Sequence, residues 1–202
     1  MSHLTPKGAA TRRRIIDGAA ELIREHGVND ITLDDVRGHT RTSKSQIFHY
    51  FPGGREELLL AVAQHEADRV LEDQQPHLSR LTTWADWQHW RDAVIARYRR
   101  QGASCPLSTL TSHVGSGTPG TQAVVRQLMR DWERPLQVGI RAMQAHGEVD
   151  QQIDPDSYAR AIVASIQGGV QILMATGSTE HLENSLDLAL SNLRPESAAT
   201  RS

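Results

Sequence analysis

The 202-residue chain holds one cysteine, Cys105, so it can form neither an internal disulfide nor a cysteine-rich zinc site. No apolar run approaches the ~18 residues that a membrane span requires. Residues 1–16 carry charge with no apolar core after them, so no export signal is expected. Sustained period-2 patterning is also missing, and no Asn-Gly or Asp-Gly pair reads as a hairpin turn between alternating runs, which argues against strands. Ten histidines are present, but no two stand three or four apart, the spacing that zinc or nickel ligands on a helix want. His113 lies eight residues beyond Cys105, and no motif joins a nucleophile to a base and an orienting acid. These absences leave no metal, no cofactor and no enzymatic role to expect, and they point to a soluble cytoplasmic chain.

What is present is helical periodicity bounded by caps, giving an all-α fold of about nine helices. The first covers 7–26, with Ile15, Ile16, Ala19, Leu22 and Ile23 on one face and Gly27 as its C-cap. Thr32 with Asp35, and Ser43 with Gln46, read as capping boxes opening two short helices, 33–39 and 44–51. Pro52-Gly53-Gly54 breaks the chain before a helix over 55–75 that stops at Pro76. Thr83 with Asp86 caps the next, and a short helix is expected over 105–114. Thr118-Pro119 opens one that runs to about 146 with a kink or break at Pro135. Asp154-Pro155 opens another that closes at Gly177, and the last runs from Ser178 to before Pro195. Residues 196–202 read as a disordered tail.

Net charge is −2, but it is unevenly spread: residues 1–55 hold nine Lys/Arg against six Asp/Glu, and the remainder thirteen against eighteen. Such asymmetry suggests a module for a charged ligand joined to something else. The two short helices, separated by Thr40 to Thr42, form a helix-turn-helix candidate, the arrangement that holds a recognition helix rigidly in the major groove. Ile47, Phe48 and Phe51 can face the core, leaving Lys44, Ser45, Gln46, His49 and Tyr50 outside. No acidic residue lies between Gly38 and Arg55 to repel phosphate. An αα-hairpin with an ordinary polar face fits the same spacing.

The stretch Arg13 to Ala61 resembles the N-terminal DNA-binding domain of the tetracycline-repressor (TetR) family of bacterial transcription regulators. The matching features are the Ala19-Ala20 and Leu22-Ile23 pairs, the His26-Gly27 stop, Ile31-Thr32, Ser43-Lys44, the Ile47 to Phe51 run, Pro52, and Arg55 to Leu58. The resemblance implies recognition-helix contacts at Ser43, Lys44, Ser45, Gln46, His49 and Tyr50. Gln46 is the candidate for a base edge, since its amide can pair bidentately with adenine. Thr32, Thr42 and Arg55 correspond to phosphate contacts that set register. Arg12, Arg13 and Arg14 could reach phosphate or simply form a solvated face. The chain departs from the family at Arg37, at Thr40-Arg41 where Ala-Gly is usual, at Phe48 where tyrosine is frequent, and at the extra residue Gly54. Arg41 must then take the turn geometry without glycine's freedom.

The resemblance implies a DNA-binding domain over 1–54 and a helical ligand-binding and dimerisation domain over 55–195. Tyr158, Ile162, Ile166, Gly169, Val170 and Leu173, with Leu182, Leu186, Ala189 and Leu193, form stripes that resemble the family's dimer element. The internal core of one subunit is the competing reading. Trp84, Trp87, Trp90, Tyr98, Cys105, His113, Met129, Trp132 and Met143 could line an adaptable apolar pocket, or be plain core. The function so implied is a homodimeric repressor released from a palindromic double-stranded DNA operator by a small apolar or aromatic inducer. A helical ligand-binding or interaction module without DNA binding is the alternative.

Overall fold

The structure is a computed structural model and describes residues 4–102 and 119–195. Eight α-helices and one 3-10 turn occur among them, with no strand. They are α1 (Pro6–His26), α2 (Leu33–Thr40), α3 (Lys44–Tyr50), α4 (Arg55–Glu72), α5 (Trp84–Gln101), α6 (Pro119–Ala145), α7 (Pro155–Thr176) and α8 (Glu180–Asn192). The 3-10 turn is His77–Ser79. Cys105, His113, the helix expected over 105–114, the Thr118 cap and the 196–202 tail lie outside the described residues. The described parts of Met1–Arg69 and Ser104–Arg126 form one compact unit, and those of Val70–Ala103 and Gln127–Ser202 the other.

In the first unit the caps form as their chemistry dictates. Thr32 and Asp35 exchange bonds at the start of α2, and Ser43 and Gln46 do so at the start of α3. Helices of eight and seven residues are too short to persist alone in water, so packing must hold them. Val36, Ile47 and Phe51 are buried with Ile15, Ala19 and Ile23 of α1 and Leu58 and Val62 of α4. Each large apolar side chain removed from water contributes roughly 1.5–3 kcal/mol. At Gly18 a Cβ would stand 2.3 Å from the Thr40 methyl carbon, so a glycine on α1 makes room for the threonine that begins the turn. Arg41 takes φ 51°, ψ 44°, the left-handed region, at a cost of roughly 1–2 kcal/mol for a residue with a Cβ. The expectation that this residue must adopt the turn geometry without glycine is met.

The second unit has an aromatic centre. Trp87 and Trp90 meet edge to face at 5.8 Å, and both are fully buried. Trp90 and Trp132 both donate their indole N–H to the buried Gln74 Oε1, at 2.8 and 3.0 Å, while Gln74 Nε2 donates to the Val70 carbonyl. One amide thus satisfies two indoles that would otherwise be orphaned in the core. Asp154 caps α7, and Gly177 ends it with φ 75°. Helices α7 and α8 pack closely, because a Cβ at Gly169 would lie 2.7 Å from the Leu182 Cα. Arg91 holds both carboxylate oxygens of Asp187 at 2.8 Å, joining α5 to α8. Helix α6 runs continuously through Pro135, so of the kink or break expected there the break does not form. No helix among the described residues is long and apolar enough to cross a membrane.

Candidate nucleic-acid interface

The α2–turn–α3 segment presents one polar face. Lys44, Ser45, Gln46 and His49 are exposed along α3, while Ile47 beneath them is buried. Ser43 Oγ accepts from the Gln46 N–H at 3.1 Å and stands 2.9 Å from Ser45 Oγ. The Ser43 N–H donates to Gln46 Oε1 at 2.9 Å. The Gln46 side chain is thereby oriented at the N-terminal end of α3, the end that enters a major groove. Among the described residues Lys44 has no ion-pair partner, so its charge is available to phosphate.

Other expected contacts are placed differently. Thr42 is buried, and its hydroxyl lies 2.8 Å from that of Thr40, which itself donates to the Val36 carbonyl. Its side chain closes the turn and does not face solvent. Thr32 is exposed, but its hydroxyl donates to Asp35 Oδ2 at 2.6 Å and accepts from the Asp35 N–H. Hydrogen bonds from the Thr32 hydroxyl and N–H hold the Asp35 carboxyl below its ordinary value, so it stays ionised at the start of α2. Arg55 donates from Nε to the Ile31 carbonyl at 3.2 Å and from a terminal nitrogen to the Val28 carbonyl. It therefore ties the α1–α2 loop to α4, while the residue as a whole stays exposed. Tyr50 is half-buried beside His49, their rings 4.8 Å apart, and a Cβ at Gly8 of α1 would stand 3.4 Å from its hydroxyl.

Phe48, expected in the core, is 43% exposed. Ile47 and Phe51 are four apart and share the inward face, whereas Phe48 falls with Lys44 on the outer one. Gly54 takes φ 68°, and a Cβ there would come within 3.8 Å of the Phe48 ring. The extra glycine thus forms the turn into α4 beside an exposed apolar ring, the kind of group that can meet a thymine methyl.

The residues expected to line a pocket are mostly core. Trp87, Trp90, Tyr98, Trp132 and Met143 are at most 2% exposed. Met129 and Trp84 are half-buried, and the Arg194 guanidinium stacks on the Trp84 ring at 4.6 Å. An open apolar cavity of about 320 Å³ in this unit lies instead along Leu78, Leu81, Pro135, Val138, Gly139 and Ala142. The apolar stripes expected at a dimer surface also turn inward. Ile162, Ile166, Gly169, Val170 and Leu173 are buried, as are Leu182, Leu186 and Leu193. They are covered within a single chain, and Gly169 of α7 lies directly against Leu182 of α8. The half-buried Tyr158 donates its hydroxyl to the carbonyl of Ala189, itself half-buried, and burial raises its phenol above the ordinary value. Among the apolar and small residues that these helices leave exposed are Ala161, Ala164, Gly168, Ile172 and Ala175 of α7 and Leu188 of α8.

The sequence profile described as bacterial regulatory proteins, tetR family, matches residues 15–62. The tetracyclin repressor-like C-terminal domain profile matches residues 78–188, more than half of the chain. A helix-turn-helix transcriptional regulator from Lactococcus lactis is 24% identical over 185 residues, covering 88% of this chain and 90% of its own. The regulatory protein TetR from Rhodobacter sphaeroides superposes with a TM-score of 0.78 at 18% identity, covering 89% of this chain and 97% of its own. SmeT, the repressor of a Stenotrophomonas maltophilia multidrug efflux pump, in complex with triclosan, gives 0.72 at 18% identity, with 93% of each chain covered.

Proposed function

The chain belongs to the tetR family of bacterial regulatory proteins, helix-turn-helix transcriptional regulators, and from that premise we propose that it is a homodimeric repressor acting in the cytoplasm on a palindromic operator. The observation that carries this reading is the outer face of α3. Lys44, Ser45, Gln46 and His49 project together from a helix fixed by a reciprocal cap and a buried Ile47, in a stretch free of acidic residues. Gln46 and His49 are the base-reading candidates, and Lys44 and the exposed Arg55 serve as phosphate contacts. Residues 1–54 then supply DNA binding and 55–195 dimerisation and ligand response.

The reading without DNA binding hinges on the missing turn glycine, yet Arg41 adopts the left-handed turn and both short helices keep their caps. A dimer is needed to set two recognition helices one DNA turn apart. The exposed face of α7 and α8, around Gly168, Ile172 and Leu188, is its proposed surface. A small apolar or aromatic inducer that binds the DNA-free conformer better shifts the population away from the operator. SmeT, a fold neighbour, holds triclosan, a compound of that class. The open apolar cavity of the second unit supports such a ligand here.

The test is a gel shift with the duplex flanking the chain's own gene. The wild type is expected to retard it specifically, and Lys44→Ala to weaken retardation several-fold with helicity unchanged. Equal retardation of any duplex, or none, would remove the operator reading.

A further inference from the structure

Arg41 sits where glycine would be at ease, yet it has a long cationic side chain. Among the described residues it is the one non-glycine with positive φ. It is exposed and, among the described residues, its guanidinium has no ion-pair or hydrogen-bond partner, and the same is true of Arg14 on α1. The two arginines line one open cleft together with Arg13, Gly18 and Thr40. The carboxylates of that cleft are already engaged. Asp17 faces Arg13 at 3.5 Å and His65 at 2.9 Å, and Glu21 faces His39 at 2.8 Å. Two guanidinium groups without an ion-pair partner among the described residues therefore remain beside the turn that leads into α3.

A strained backbone persists where its surroundings or its use over-determine it, and the inference runs from the observed outlier to the use. Arginine's planar fork matches phosphate oxygens, and an unpaired one on an exposed turn has no structural partner to justify it. We propose that Arg41, with Arg14 beside it, is a phosphate anchor on duplex DNA that fixes how deeply and in what register α3 enters the groove. The proposal rests on the DNA-binding reading above. It makes Arg41 a positioning residue that adds affinity without reading sequence.

The experiment uses the full chain, its Arg41→Gly, Arg41→Lys and Arg14→Ala variants, the promoter-region duplex and an unrelated duplex of equal length, with fluorescence anisotropy from 50 to 200 mM salt. Arg41→Gly is expected to melt about 2–4 °C higher, because glycine relieves the turn. The same variant should bind both duplexes roughly 3–10-fold more weakly, and its plot of log K against log salt should flatten by about 1.8 for a dimer, one phosphate per protomer. Arg41→Lys should keep most of the slope, and Arg14→Ala should lose a similar part of it without touching the turn. Gain of stability with loss of salt slope is a pairing that a merely structural residue does not produce. Unchanged affinity and slope in Arg41→Gly overturns the proposal, as does a loss accompanied by lower melting. A wild type that binds neither duplex ends the DNA-binding reading itself, whereas a binding wild type with an indifferent Arg41→Gly ends only this proposal.

Discussion

At Gln46 one amide oxygen has two uses. It accepts from the Ser43 N–H in the α3 cap, and bidentate pairing with adenine asks it to accept a second time while Nε2 donates. The two uses can be separated by substitution. Gln46→Glu keeps the capping acceptor and loses the donor, so its melting should match the wild type within about 0.5 kcal/mol. Its operator affinity should fall about 5- to 150-fold, since a bidentate base pair is worth about 1–3 kcal/mol. Gln46→Ala should lose both, with the cap costing about 1 kcal/mol. Thermal unfolding and anisotropy on the same samples check the split; a Gln46→Glu variant with full affinity removes Gln46 from base reading. The neighbouring Phe48 was misplaced in the core by the sequence reading. Its fourth-residue relation to Lys44 puts it outside, whereas a simple count of apolar residues puts it in the core. Thr42 was not legible, because only the threonine at position 40, folded against Gly18, reveals where its hydroxyl goes.

Helix starts were the most legible elements, because a cap is a contact between residues two or three apart in the chain. Thr32, Ser43, Thr83 and Asp154 all cap as their spacing predicts. At the α5 start the Asp86 carboxyl is lowered, first by the Thr83 hydroxyl, against the opposing effect of desolvation, and then further by the Thr82 hydroxyl and the backbone N–H groups of Thr83 and Thr82. A folded value below the ordinary 3.8 means that this contribution is complete above that pH and lost as pH falls through the lowered value. Glu183, held down by Thr179 and Arg99, and Asp154, held down by Ser157, have the same sign. Thr83→Ala should cost about 1 kcal/mol at neutral pH, and the gap to wild type should narrow on acidification below the carboxylate range. Urea unfolding at several pH values measures it, and a gap that widens in acid contradicts the cap. Apolar stripes were less legible. Periodicity says that Ile162, Ile166 and Leu173 share a face, but it is silent on whether the surface opposite belongs to the same chain. Here all three are buried within one chain, and Leu182 of α8 lies against Gly169 of α7.

For the whole molecule, the all-helical class and the family were readable from about fifty residues, whereas the ligand region was not. Aromatic residues at helical spacing look alike whether they pack on each other or on a guest, and Gln74, which unites Trp90 and Trp132, bears no sequence signature of that role. Assembly is the property that the proposed repression requires. Ile172→Asp together with Leu188→Asp places charges on the exposed α7–α8 face while sparing the buried seam. The double variant is expected to keep its helicity, to sediment as a monomer where the wild type sediments as a dimer, and to bind the promoter duplex at least tenfold more weakly. Sedimentation velocity decides it, and a variant that stays dimeric moves the interface elsewhere.

All four tryptophans, Trp84, Trp87, Trp90 and Trp132, fall in the second unit, and none in the unit that contains the recognition helix. Indole emission is therefore a private signal of one half of the chain. Titrating a small molecule and following that emission watches ligand uptake without interference from the DNA-reading half, and the blue-shifted glow of the pair clasped by Gln74 would redden as soon as that clasp lets water in.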